Sequence, residues 1–203
     1  MKDLTTAAKK LDKVFEIAHI VFSALAIASL VLIALIGLTW VMGWEPEFIG
    51  ADYNTISLGF VDLELAEAYI PSKWLVTGLT AFSLLVACRL FYDGRRGIGY
   101  IREILQPMIE EKPFVSIVST NLKKLAKLSI VIGILFNVIT LAEQIVVVFL
   151  YDLPGLLISE KITHVSGMFQ IDLSFLIYWA ILMLLSYVFQ YGEDLQQLSD
   201  ETL

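Results

Sequence analysis

The sequence predicts an all-α membrane protein, a four-transmembrane-helix bundle with a small extracytoplasmic β-structure formed by its two outer loops. Three observations lead there. Hydrophobic residues make up 58% of the 203 and charged residues only 17%, with a mean hydropathy of +0.77. A soluble domain carries about 25% charge and about 45–50% apolar residues, so the surplus apolar surface calls for lipid as its solvent. Four separate segments are long enough to cross about 30 Å of hydrocarbon. Lysine and arginine crowd onto alternate connections between those segments, as membrane insertion requires.

The chain reads as a single four-span membrane domain over residues 1–203. Span one covers about residues 18–42. The basic start (Lys2, Lys9, Lys10, Lys13) suits a signal n-region, but the apolar run behind it is too long for a cleaved h-region of about 7–15 residues. Spans two, three and four cover about residues 74–92, 128–150 and 173–191. Arg89 lies near enough to the end of span two to snorkel. Trp40, Trp44, Trp74 and Tyr151 mark one interface, and Tyr92 and Tyr191 the other.

The N-terminal segment holds four Lys/Arg residues and the segment from Arg89 to Lys127 holds eight. The other two loops hold one each, Lys73 and Lys161. Twelve against two orients both termini and the middle loop toward the cytoplasm.

The first outer loop, residues 43–73, is acidic, with Glu45, Glu47, Asp52, Asp62, Glu64 and Glu67 facing one lysine. Ile56, Leu58 and Phe60 alternate with polar or small residues, as do Leu63 and Leu65, a period that predicts short strands. The second outer loop, residues 151–172, carries a similar run at 162–171. Neither loop buries a core alone, so the expectation is that the two pair with each other. Acidity suits cations or basic peptides, and equally an ordinary solvated loop from which lysine is excluded.

The middle loop, residues 93–127, predicts two amphipathic helices. Ile98, Ile101, Leu105 and Met108 fall on one helical face, a break follows at residues 110–113, and Phe114, Ile117, Leu122 and Leu125 form a second face. Basic flanks suit helices lying in the headgroup layer or presenting a face to a protein. Residues 94–99, glycine-rich and basic, read as a flexible exit turn. Phe114, Leu122, Lys123, Lys124, Leu125 and Lys127 are the candidate cytoplasmic interaction residues, joined by Leu195 and Asp200 on the acidic tail, residues 192–203.

Chemistry is sparse. His19 and His164 lie on opposite sides of the membrane in this topology, Cys88 is the single cysteine, and no metal, cofactor or catalytic motif is recognisable. The expectation is a non-enzyme without cofactor and without direct nucleic-acid binding. The richest feature is span three, where Asn137, Thr140 and Gln144 form a polar stripe with Glu143 beside it. Thr77 and Thr80 of span two lie at a matching depth. Polar groups in hydrocarbon either knit helices together or handle an ion or ligand.

Lys112-Pro113-Phe114 followed by Leu122-Lys123-Lys124-Leu125 resembles a Pro-Phe…Leu-Arg-Arg-Ile signature. That signature precedes the third span in a family of small bacterial four-span membrane proteins known only as a domain of unknown function. Phe189-x-x-Gly192-x-x-Leu195 and Asp200-x-Thr202-Leu203 are similar to the family's closing motif. Ile117 and Val118 stand where its members usually have Glu-Asn. The resemblance implies a multi-pass protein of the bacterial plasma membrane. Because members often lie beside genes for small helix-turn-helix regulators, it also implies a regulatory or protein-interaction role with a small DNA-binding protein as cytoplasmic partner. The other classes the sequence admits are a transporter or channel subunit, acting as a homo-oligomer, and an immunity-type protein against a membrane-active peptide.

Overall fold

A computed structural model describes residues 2–43, 55–57, 62–64, 73–110, 112, 114–145 and 171–201. Four helices dominate: α1 (Lys2–Met42), α2 (Lys73–Ile109), α3 (Ser116–Ile145) and α4 (Ser174–Glu201). At 1.5 Å per residue, α1 is about 60 Å long and α2 about 55 Å, nearly twice the hydrocarbon thickness. The apolar runs therefore occupy only part of each helix. Thr5–Met42, Ser116–Ala142 and Ser174–Ser199 are each long and apolar enough to cross a membrane. In α2 no charge falls between Trp74 and Cys88, but Arg89, Asp93, Arg95 and Arg96 follow at once.

Among the described residues the expected β-structure joining the two outer loops is not seen. The described residues are predominantly helical, and the β pairing among them is one three-rung antiparallel hairpin, β1 (Thr55–Ser57) with β2 (Asp62–Glu64). Thr55 faces Glu64, Ile56 faces Leu63 and Ser57 faces Asp62. Both strands belong to the first loop, joined by residues 58–61, so closing this pair costs far less chain entropy than recruiting a distant loop. The strand expected at 162–171 lies, but for Ile171, outside the described residues.

The middle segment also differs from two helices lying on a surface. Residues 93–109 continue α2 and residues 116–127 open α3, so the two long helices form a hairpin turning at residues 110–115. Residues 94–99 are helical, not an exit turn. Gly94 is there because α1 presses on it: a Cβ would fall 2.7 Å from Phe22 Cδ1.

Helix ends follow local chemistry. Gly43 closes α1 with φ of 64°, a left-handed conformation that glycine adopts without steric cost. Asp172 caps α4: its carboxylate accepts the Ser174 backbone N–H at 2.8 Å and the Ser174 hydroxyl at 2.8 Å. Those two bonds hold the Asp172 carboxyl below its ordinary value.

By its internal contacts the chain divides into two compact units. The first comprises Met1–Ile27, Cys88–Phe136 and Asp172–Leu203. Its core is Ile104, Val118 and Leu122, with Met108, Val115, Leu125, Leu182 and Phe189 packed against it. Helix α1 joins through Arg102 Nε to Asp12 Oδ1 at 2.8 Å, Arg95 Nε to His19 Nε2 at 3.2 Å, and an edge-to-face Phe22–Phe91 pair. Asp12 holds the Arg102 guanidinium above its ordinary value. Helix α4 joins through Lys123 Nζ to Gln190 Oε1 at 3.0 Å and through Phe114 against Phe189, ring centroids 5.9 Å apart.

The second unit is Ala28–Ala87 with Asn137–Ile171. Within it Thr77 is buried, as are Ser29 and Thr39, and the Trp40 ring lies 3.7 Å from where a Gly78 Cβ would stand.

Polarity runs inside out along the apolar segments. Ile27, Leu30, Val41, Ile134, Phe136, Ile177 and Leu184 are exposed, while Ser29, Thr39, Thr77 and Ser186 are buried. Buried hydroxyls donate back along their own helix, Thr39 to Ile36 O and Ser186 to Met183 O, both at 2.7 Å. Hydroxyls without water satisfy themselves this way, and exposed aliphatic side chains are what lipid solvates.

Candidate functional site

The densest polar constellation belongs to the first unit, where α2 and α3 face each other. On α2, Arg89, Asp93, Arg96, Tyr100 and Glu103 are spaced i, i+4, i+7, i+11, i+14, a single helical stripe. Asp93 is its anchor and is fully buried. Arg89 Nε donates to Asp93 Oδ2 at 2.7 Å. Arg96 Nη1 stands 3.9 Å from Asp93 Oδ1, a distance that delivers charge but no hydrogen bond, so Oδ1 is left unsatisfied. Arg89 and Arg96 flank the Tyr92 ring at 5.8 and 5.9 Å from its centroid. Arg96 Nη2 donates to the Tyr100 hydroxyl at 3.1 Å, which raises the guanidinium above its ordinary value.

Helix α3 supplies the opposite wall. Asn121 is fully buried and bridges the helices: its Nδ2 donates to Glu103 Oε2 at 2.7 Å, and its Oδ1 accepts from Lys124 Nζ at 3.0 Å. That bond places the Lys124 ammonium over the Tyr100 ring, 5.2 Å from the centroid. Gly97 lets the helices approach, since a Cβ would lie 3.1 Å from Leu128 Cδ2. Between them lies an open recess of about 220 Å³, lined by Arg89, Asp93, Arg96, Tyr100, Lys124 and Lys127. Leu128 and Val131 form its apolar side. Four cations against one carboxylate make it a place for negative charge.

The structure scatters the other expected residues. Of the cytoplasmic set, Lys124 and Lys127 reach the recess. Leu122 and Leu125 serve the packed core. Lys123 turns away toward α4, its ammonium 5.6 Å from the Tyr187 ring centroid. Phe114 lies against α4, beside the Phe189 ring and 2.6 Å from where a Gly192 Cβ would stand. Leu195 is exposed, and the side chain of Asp200 lies outside the described ones. Of the intramembrane set, Thr77 is buried, and Thr80, Asn137, Thr140 and Gln144 are half-buried. Asn137, Thr140 and Gln144 are less exposed than Val131, Ile134, Phe136 and Val138 of the same helix, α3. The side chain of Glu143 lies outside the described ones. Among the described residues no group of His, Cys, Asp and Glu is placed to hold a metal ion.

Sequence reasoning missed Arg89, Asp93, Arg96, Tyr100, Asn121 and Glu103. The signal was present in the α2 stripe, but the intervening glycines made it look like a turn. No family model, no curated protein and no solved structure matches this chain. The likeness to the four-span family rests on the motif residues alone.

Proposed function

We propose that the chain is an integral membrane protein with a regulatory or protein-interaction role, in which the polar ends of its helices form a preassembled platform for a cytoplasmic protein. One observation carries this reading: the middle segment is a helical hairpin with its own core, tied to α1 by Arg102–Asp12 and to α4 by Lys123–Gln190. A connection that only returned the chain to the bilayer would need neither a buried core nor a buried Asn121 bridging two helices. A folded surface of fixed shape recognises a partner without a large ordering cost. Exposed apolar residues stand on it beside charged ones, Ile117 on α3 and Leu195 and Leu198 on α4. The twelve-to-two Lys/Arg bias supports a cytoplasmic face for this platform, and the motif resemblance supports a small DNA-binding regulator as the partner.

Photo-crosslinking in native membranes tests the proposal. A crosslinking residue at Ile117 or Leu198 should capture one defined protein, and the same residue at Ile27 should capture none. Equal capture from Ile117 and Ile27 would contradict a dedicated platform.

A further inference from the structure

The recess between α2 and α3 has features that a protein-binding platform does not require. Its cations are only partly committed. Arg89 is tied to Asp93 and Arg96 to Tyr100. Lys124 uses one donor on Asn121 and keeps two of the three an ammonium carries. Among the described residues, Lys127 has no ion-pair partner. The positive charge thus exceeds what Asp93 neutralises and is aimed into a cavity with room for about seven waters' worth of liquid volume.

Asp93 adds an independent constraint. It is fully buried, it lines the recess, and its Oδ1 accepts no hydrogen bond. Buried carboxylate oxygens are rarely left so, because each unmade bond carries the desolvation cost of a charged acceptor. A bare anion would not satisfy Oδ1 and would repel it. A ligand that satisfies both halves of the recess carries negative charge for the Arg/Lys side and a donor, N–H or O–H, for Oδ1.

We propose that this recess binds a phosphate group bearing a hydrogen-bond donor on its alcohol side, the chemistry shared by glycerol- or ethanolamine-headed phospholipids and the free phosphate esters of those alcohols. The phosphate oxygens take Arg96, Lys124 and Lys127, and the ligand's hydroxyl or ammonium takes Asp93 Oδ1. The apolar side favours the lipid source. Leu128 and Val131 continue along the same face of α3 into exposed Ile134, a path for an acyl chain leaving the headgroup. A basic pocket between helices at the polar end of their apolar stretch is a recognised way of holding anionic headgroups. The site does not depend on the protein partner proposed above.

The test uses the purified full chain in a neutral detergent, read by native mass spectrometry and thermal shift. Phosphatidylglycerol, phosphatidylethanolamine and phosphatidylcholine of matched acyl chains are added separately, as are glycerol phosphate and inorganic phosphate. Saturable one-site binding of phosphatidylglycerol or phosphatidylethanolamine, tighter than phosphatidylcholine, is expected, because choline has the phosphate but no N–H or O–H donor. Each cation removed should weaken it about fivefold, so Lys127→Gln loses about fivefold and Arg96→Gln with Lys127→Gln about thirtyfold. Lys127→Gln breaks no ion pair among the described residues, so it reads the site even if the double variant misfolds. Lys123→Gln, turned toward α4, should leave binding unchanged. Glycerol phosphate matching the lipid would support the site with a free ester as its ligand. Equal binding of phosphatidylcholine, equal weakening by Lys123→Gln, or no saturable binding of any probe would each overturn the proposal.

Discussion

Arg89 and Asp93 lie one turn apart on α2 and meet at 2.7 Å, yet the arginine side chain is 52% exposed and the aspartate 0%. The two halves of this pair are therefore not equivalent. Removing the aspartate releases a guanidinium that already reaches water or headgroups. Removing the arginine strands a carboxylate that has no solvent and one oxygen already unsatisfied. Arg89→Leu should cost about 3 kcal/mol, the lower end for stranding a buried charge because Arg96 stays near. Asp93→Asn should cost about 1 kcal/mol or less. Thermal unfolding in detergent measures both, and an Asp93→Asn variant less stable than Arg89→Leu would contradict the assigned burial.

Gly133 and Phe175 set how closely α3 approaches α4. A Cβ on Gly133 would collide with both the ring and the Cβ of Phe175. Because the Phe175 Cβ is part of the collision, rotating the ring gives no relief. Gly133→Val should cost about 1–3 kcal/mol by overpacking, and Phe175→Ala in the same chain should recover part of it. A Gly133→Val chain as stable as the parent would place the two helices farther apart.

The apolar runs of α1, α3 and α4 were legible because lipid demands an uninterrupted apolar surface, a property of composition that sequence displays directly. The site was less so. Arg89, Asp93, Arg96 and Tyr100 share a face only if residues 94–99 are helical, and Gly94 and Gly97 look like turn formers until Phe22 and Leu128 are seen against them. Alternation at Ile56 and Leu63 falls on the short strands Thr55–Ser57 and Asp62–Glu64, but a period of two carries no information on which strand pairs with which, and the expected pairing between the two loops was an inference beyond it. Lys123, Lys124 and Lys127 read as one basic cluster, whereas helical rotation sends Lys123 to α4 and the other two to the recess.

The α4 cap makes a pH prediction. The Ser174 hydroxyl and backbone N–H hold the Asp172 carboxyl below its ordinary value. A carboxyl depressed on folding contributes stability that is present above its unfolded pKa and is lost as pH falls through the folded one. Acidification should therefore loosen the start of α4, and Asp172→Ala should remove that pH dependence. Amide hydrogen exchange at residues 174–177 between neutral and acidic pH checks it. Parallel pH profiles for both chains would assign the cap no role.

The platform is cytoplasmic only if the hairpin turn is. In a Cys88→Ser background, single cysteines at Ser57, Thr120 and Ser199 are exposed to an impermeant thiol reagent on intact cells. Ser57 lies in the β1–β2 hairpin, Thr120 is exposed on α3 near the hairpin turn, and Ser199 is exposed near the end of α4. Ser57→Cys should label in intact cells, and Thr120→Cys and Ser199→Cys only after permeabilisation. Labelling of Thr120→Cys from outside would contradict a cytoplasmic turn.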